Sequence, residues 1–186
     1  MDSVILRSAI FVFIIFVFTV ISRRALRNPR SHGFYRYFAF IGITSLLLYN
    51  QPVWFEQPFS GVHCLSWLLL GGSVALVLHG TVFLRRFGGQ SNRPASPENL
   101  AFENTQHLVV NGLYRYIRHP MYASLLLLAW GAFLKRVDVL TIVVICVVTL
   151  AIYLTAKVEE QENIAFWGED YVKYKLSSKM FIPFIL

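Results

Sequence analysis

Three long apolar runs, residues 4–21, 62–84 and 137–156, limit this chain more than any other feature. A helix needs ~20 apolar residues to cross a ~30 Å hydrocarbon core, and each run meets that length. The rest of the composition points to the same solvent. Only 15% of the residues are charged and 56% are hydrophobic, whereas soluble domains carry about a quarter charged residues. In lipid the backbone must satisfy its own polar groups, which a helix does within one segment. Two further runs, 34–48 and 121–134, are shorter. The first reaches spanning length only with its interfacial residues. The second tilts, or forms with 137–156 a hairpin that crosses incompletely. The expectation is an all-α, multi-pass transmembrane helical bundle of about five helices. It forms one domain, with three helices in 1–86 and a second region in 87–186 built on a hairpin at 120–157.

Charge placement predicts the orientation. Lys and Arg number 17 against 10 Asp and Glu, a net +7. Arg23, Arg24, Arg27, Arg30 and Arg36 lie between the first two runs, and Arg85, Arg86, Arg93, Arg115 and Arg118 between the third and fourth. Lys157, Lys173, Lys175 and Lys179 follow the fifth, while the loop 50–60 has no Lys or Arg. The positive-inside rule then puts the amino terminus outside and the carboxyl terminus in the cytoplasm, with Arg7, Lys135 and Arg136 as exceptions. The basic excess is read as topology and contact with membrane lipids, so nucleic acid is not needed to explain it. The basic cluster follows the first run instead of preceding it, as in a retained helix and unlike a signal peptide. Compact size and the lack of a sorting signal suggest a bacterial plasma membrane. Cys64 and Cys146 lie in or beside apolar runs and are expected to pack there without a disulfide; no metal-ligand spacing is visible.

Polar sequence is concentrated in a loop, 85–119, which includes the turn-rich stretch 92–97, and in a tail, 157–186. The tight Lys135-Arg136 turn between runs four and five returns the chain to its starting face, so loop and tail should be neighbours. Pro120 suits a first helical turn. His119 would then sit at a cap whose free N–H groups favour an anionic group. Glu159, Glu160 and Glu162 extend the fifth helix as a polar stretch ending near Gly168. His79 lies within the third run and is expected to be neutral and bonded to a backbone carbonyl, outside any site. Met121 is expected to be a lipid or core contact.

The loop carries Gln106-His107-Leu108-Val109, Gly112-Leu113-Tyr114 and Arg118-His119-Pro120-Met121-Tyr122. The tail carries Glu159-Glu160, Trp167-Gly168, Tyr171, Tyr174 and Phe181-Ile182-Pro183. Taken singly, these segments have plain explanations. Arg118-His119-Pro120 can be an interfacial basic cap among belt tyrosines, and Glu159-Glu160 a solvated helix face balancing Lys157. As an ordered set around a hairpin, over roughly the last 80 residues, they resemble the isoprenylcysteine carboxyl methyltransferase and phospholipid methyltransferase superfamily.

The resemblance implies S-adenosylmethionine as cofactor, bound between the loop before the hairpin and the extension after it. It places Leu108, Val109, Tyr114, His119, Pro120, Tyr122 and Glu159 around that cofactor, with Gln106, His107 and Gly112 on the loop side. Glu159 would pair with the cofactor's ammonium group and His119 with its carboxylate. Arg118 would hold an anionic substrate or a tail carboxylate as a fork-shaped donor. A carboxylate or thiolate acceptor needs no general base; for an amine or hydroxyl, Glu160 is the candidate. Two positions depart from the pattern. Gln106 stands where the superfamily's loop histidine lies, and Thr155 replaces the arginine that faces the substrate carboxylate in the isoprenylcysteine enzymes. A different lipophilic or small acceptor, reaching the site laterally between helices, is therefore expected. The rival readings are an NADPH-dependent membrane reductase of the sterol-reductase type and a scaffold without activity. Met121 stands where such reductases carry asparagine, and the set Tyr114, Arg118, His119, Pro120, Tyr122 and Glu159 is intact.

Overall fold

The structure is a computed structural model describing residues 2–89 and 105–184; the turn-rich stretch 92–97 lies outside them. Its helices are α1 (Asp2–Ser22), α2 (His32–Asn50), α3 (Gly61–Phe87), α4 (Pro120–Phe133), α5 (Val139–Trp167) and α6 (Glu169–Ser177). Among the described residues there is no strand beyond an isolated parallel bridge between Ile117 and Lys179. Segments within α1, α3 and α5 are long and apolar enough to cross a membrane. The chain is a helical membrane protein, as its apolar runs predict. With 14 residues α4 is the short member, rising only about 21 Å at 1.5 Å per residue.

Helices α2 and α5 form the centre, and α4 packs against both. Ala39, Ile43 and Leu46 of α2 share one core with Ile145, Val148 and Ile152 of α5 and Ala129, Ala132 and Phe133 of α4. The approach of α2 to α5 depends on Gly42, where a Cβ would stand 2.3 Å from Val148 Cγ2. A small residue here lets two backbones close in and gain dispersion contacts, the main attraction between helices in lipid. Helix α1 is peripheral. A Phe18–Phe40 stack and a 2.9 Å bond between the Thr19 and Tyr37 hydroxyls tie it to α2, while Val12, Phe13 and Phe16 face outward. Cys64 and Cys146, expected in packed positions, are both exposed on outer helix faces. Arg36, counted above with the first connection, lies inside α2 and is buried.

Because α4 ends early, its last carbonyls would stay unpaired in apolar surroundings. Amides of the following turn take the carbonyls of Trp130, Ala132 and Phe133, and neighbouring helices supply further donors. Ser66 Oγ donates to the Gly131 carbonyl at 2.7 Å and Asn50 Nδ2 to that of Ala132 at 2.8 Å. The two cations of the following turn find aromatic faces. Lys135 Nζ stands 3.4 Å over the Trp67 ring, and the Arg136 guanidinium 5.5 Å over Tyr49. Asp138 then starts α5 with a capping box, accepting from the Thr141 amide while Thr141 Oγ1 accepts from the Asp138 amide, both at 2.9 Å.

At the opposite end, α5 runs on past its apolar part and braces α2. Ser31 precedes α2 without giving a side-chain cap. Glu162 substitutes for it, its carboxylate accepting from the His32 amide at 3.2 Å and lying 2.6 Å from His32 Nδ1. A carboxylate at a helix start satisfies a free amide and faces the positive end of the dipole. Glu162→Ala is expected to destabilise the folded chain by about 1–2 kcal/mol, measured as a lower thermal midpoint in detergent.

Candidate active site

The hairpin brings loop and tail together. Loop residues 116–119 run beside tail residues 179–180 through short backbone bonds: Arg118 N to Lys179 O at 2.7 Å, Lys179 N to Tyr116 O at 2.9 Å, and His119 N to Met180 O at 3.1 Å. Tyr174 of α6 donates its hydroxyl to the Tyr114 carbonyl at 2.5 Å. Pro120 opens α4 with His119 at its cap, as expected, but the His119 side chain makes no cap bond. It lies along the Tyr122 ring, with centroids 5.4 Å apart and 18° between planes.

The electrostatic centre is Glu160, 1% exposed. Arg118 Nε donates to its Oε1 at 2.8 Å. Lys175 Nζ stands 2.8 Å from Oε2, an ion pair without a well-aligned hydrogen bond. His119 Nε2 lies 3.6 Å from Oε1, beyond hydrogen-bond length. Burial alone would push the Glu160 carboxyl up, but His119, Lys175 and Arg118 outweigh it and hold the group well below the usual carboxylate range. A group held ionised so firmly is a poor proton acceptor. Its setting is that of an anchor for Arg118, which also donates through Nη1 to the Lys175 carbonyl at 3.1 Å and to that of Ser178. Of the two expected partners, an anionic substrate or a tail carboxylate, Arg118 thus holds the second in Glu160, together with two tail carbonyls.

Above this anchor lies a cleft partly open to solvent, about 660 Å³ when the space of its open mouth is included. Of the residues singled out in the sequence, Leu108, Val109 and Tyr114 line it from the loop. Arg118, His119, Pro120 and Tyr122 do so from the head of α4, and Glu159 from α5. Gln106, His107, Gly112 and Glu160 are not in its wall. Gln106 and His107 are exposed, and their amides bond the Gly88 carbonyl. Gly112 has φ 63°, and a Cβ there would stand 2.5 Å from Phe83 and 2.7 Å from His79. The need at that point is for a small residue in a tight turn against α3. His79 does bond the backbone, but as an acceptor from the Leu113 amide at 3.2 Å; the expectation of a carbonyl partner is corrected.

Other cleft residues were not assigned from the sequence. Asn163 lies one turn after Glu159 on the same face of α5, and Trp167 one turn further; that spacing was the available signal. Tyr171 of α6 stacks on Trp167 at 5.9 Å. Met121, expected to be a lipid or core contact, faces the cleft. Burial pushes the hydroxyls of Tyr114, Tyr171 and Tyr174 well above the usual phenol range, so these groups keep their protons. His119 Nε2 is buried in the wall without a hydrogen-bond partner. Its nearest polar neighbour is Glu160 Oε1 at 3.6 Å, so the nitrogen retains the capacity to bond a ligand group.

A short helical hairpin in a membrane bundle, with a polar cleft clamped between the loop before it and the extension after it, defines an integral membrane protein with an enzyme-like site. The family model for phospholipid methyltransferases matches residues 62–166, more than half of the chain, and the chain belongs to that family. The match begins at α3, earlier than the segment that carries the motifs, and stops before α6. The chain is 28% identical over 132 residues to a methanethiol S-methyltransferase of Crocosphaera subtropica, covering 68% of this chain and 47% of that protein. A methanethiol S-methyltransferase of Pseudomonas deceptionensis is 27% identical over 119 residues, 64% of this chain and 42% of its own length. The chain therefore spans less than half the length of these curated relatives.

Proposed function

We propose that the chain is an S-adenosylmethionine-dependent methyltransferase acting on a small or lipophilic acceptor that arrives as its anion. The observation that carries this reading is the cleft, where Leu108, Val109, Tyr114, His119, Pro120, Tyr122 and Glu159 meet in a member of a methyltransferase family. The donor set suits the cofactor. Glu159 offers a carboxylate to an ammonium group, His119, whose Nε2 makes no hydrogen bond, a contact for a carboxylate, and Trp167 with Tyr171 an aromatic wall. S-adenosylmethionine supplies a methyl group on a sulfonium, transferred in line to a nucleophile. The chain's own task is to orient both partners and exclude water. Orientation in the membrane follows the charge pattern, with the cleft on the cytoplasmic side.

Among the described residues Glu160, the candidate base, is committed to Arg118 and Lys175. Glu160 resists protonation, and the three buried tyrosines resist losing their protons. An acceptor that ionises in water before it binds needs neither; a carboxylic acid or a thiol does so, an alcohol does not, and Thr155, in place of the arginine that faces a substrate carboxylate, favours the thiol. The methanethiol S-methyltransferase names of the relatives favour the same class.

The test is isothermal titration of the detergent-purified chain with S-adenosylhomocysteine, with NADPH in parallel. Saturable binding of the first supports the proposal; binding of NADPH alone would assign the cleft to a reductase, and silence from both to a scaffold. With a thiol acceptor, the rate at subsaturating acceptor is expected to rise about tenfold per pH unit from roughly pH 6 to 8, following the thiol's own ionisation near 8.5. A rate that stays flat over that range would rule out a thiol that must ionise before it binds.

A further inference from the structure

Three consecutive turns of α5 present different chemistry to the cleft. Glu159, Asn163 and Trp167 are spaced four residues apart on one face, about 6 Å per step at 1.5 Å per residue. The first offers a charge, and the last an aromatic plane on which Tyr171 stacks at 5.9 Å. Between them lies a neutral carboxamide, Asn163, 8% exposed. Its side chain lies beside the Tyr171 hydroxyl. A carboxamide has two donor hydrogens and an acceptor oxygen, so one neighbour leaves most of that capacity for the cleft.

A second neutral group comes from the loop. Thr105 lines the same cleft and is 6% exposed. Its methyl group packs against Gly88, where an added Cβ would stand 2.5 Å away. Its hydroxyl makes no hydrogen bond among the described residues. The carbonyl of the next residue, Gln106, accepts from Trp167 Nε1 at 3.5 Å, which brings this part of the loop to the aromatic end of the α5 face. A hydroxyl and a carboxamide, each more than nine-tenths buried, thus keep bonding capacity beside an aromatic wall. Buried polar groups of this kind need partners.

We propose that Thr105 and Asn163 bind the ribose of the cofactor, its diol exchanging hydrogen bonds with the hydroxyl and the carboxamide. Each sugar hydroxyl both donates and accepts, the complement of two neutral groups that do the same. The parts of an adenosyl sulfonium then follow the turns of α5 in order, with the amino-acid head at Glu159, the sugar at Asn163 and the base along Trp167. The assignment rests on the cofactor reading of the cleft. It adds selection of the donor, because a sulfonium without the sugar would leave both side chains unpaired.

Isothermal titration of the full chain in detergent compares S-adenosylhomocysteine with its 2′-deoxy and 3′-deoxy forms and with S-inosylhomocysteine, which alters the base alone. At least one deoxy form is expected to bind the wild type about tenfold more weakly than the parent compound. Thr105→Val and Asn163→Ala should each weaken the parent by a similar factor. Each should lose little more when the hydroxyl it served is also removed, since that bond is already gone. Thr105→Ser, which keeps the hydroxyl, should keep the affinity. Thermal midpoints establish that the variants are folded. Deoxy forms that bind the wild type as well as the parent, or losses that persist in full in both folded variants, would overturn the proposal and leave Asn163 as packing for Tyr171. An inosine loss that vanishes in Asn163→Ala would move the amide to the base and overturn it too. A wild type that binds none of these compounds would instead sink the cofactor reading itself.

Discussion

Glu160→Ala is expected to lower the stability of the chain by about 3–5 kcal/mol, the cost of leaving a buried cation without its partner. Most of that cost falls on Arg118, whose side chain is 7% exposed and joins α5 to the loop and the tail. Lys175 is 37% exposed, so its share is that of a screened surface pair, below about 1 kcal/mol. A thermal midpoint lower by on the order of 10 °C is the readout, and Glu160→Gln should fall between wild type and alanine. The pH dependence has a definite sign. A carboxyl held below its ordinary value adds stability that is complete above about pH 4.3 and lost as the pH falls further. Wild type should therefore lose more stability on acidification than the alanine variant, whose acid limb should be flatter. Equal acid limbs would rule out the ion-pair role.

The second large effect concerns binding. Under the proposed function, His119→Ala is expected to weaken S-adenosylhomocysteine roughly 10- to 100-fold, the value of a bond to a charged group at about 1.5–3 kcal/mol. The basis is geometric: His119 lines the cleft, and its buried Nε2 makes no hydrogen bond, lying only at ion-pair distance from Glu160 Oε1 at 3.6 Å. Titration of the folded variant decides it. Unchanged affinity would remove His119 from the cofactor's contacts and leave it as packing between Tyr122 and Phe181.

The spanning helices were legible because their information is redundant: some twenty apolar residues leave few alternatives. Even α4 was readable as the short partner of a hairpin. Helix α6 was not. Its nine residues, Glu169–Ser177, are largely polar, and its two buried tyrosines acquire partners only once the loop folds back on them. Within the site, legibility followed the helices. Glu159 and Glu160 are adjacent in sequence but ~100° apart around α5, so one faces the cleft and the other the ion-pair anchor. The sequence reading assigned Glu159 to the cofactor and Glu160 to proton transfer, but it gave no sign that the second would be tied to Arg118. Asn163 could have been found from Glu159 by helical spacing. Gln106 and His107 belong to an irregular segment, where no period tells which side chains turn inward, and both lie outside the cleft wall.

Under the proposed function, the shortness of α4 has a consequence for how an acceptor is supplied. If the turn at Lys135 lies at one face of the hydrocarbon, a rise of about 21 Å leaves His119 and Pro120 roughly 9 Å short of the other. The cleft then has its floor below the lipid surface. An acceptor dissolved in the bilayer meets it at the concentration of the oil phase, not of the surrounding water. Each added methylene favours partition by about 0.8 kcal/mol, close to a fourfold enrichment. An apparent KM counted against total acceptor would then rise with the volume of lipid in the assay, and a homologous series of thiols would rank by solubility in the membrane before it ranked by fit.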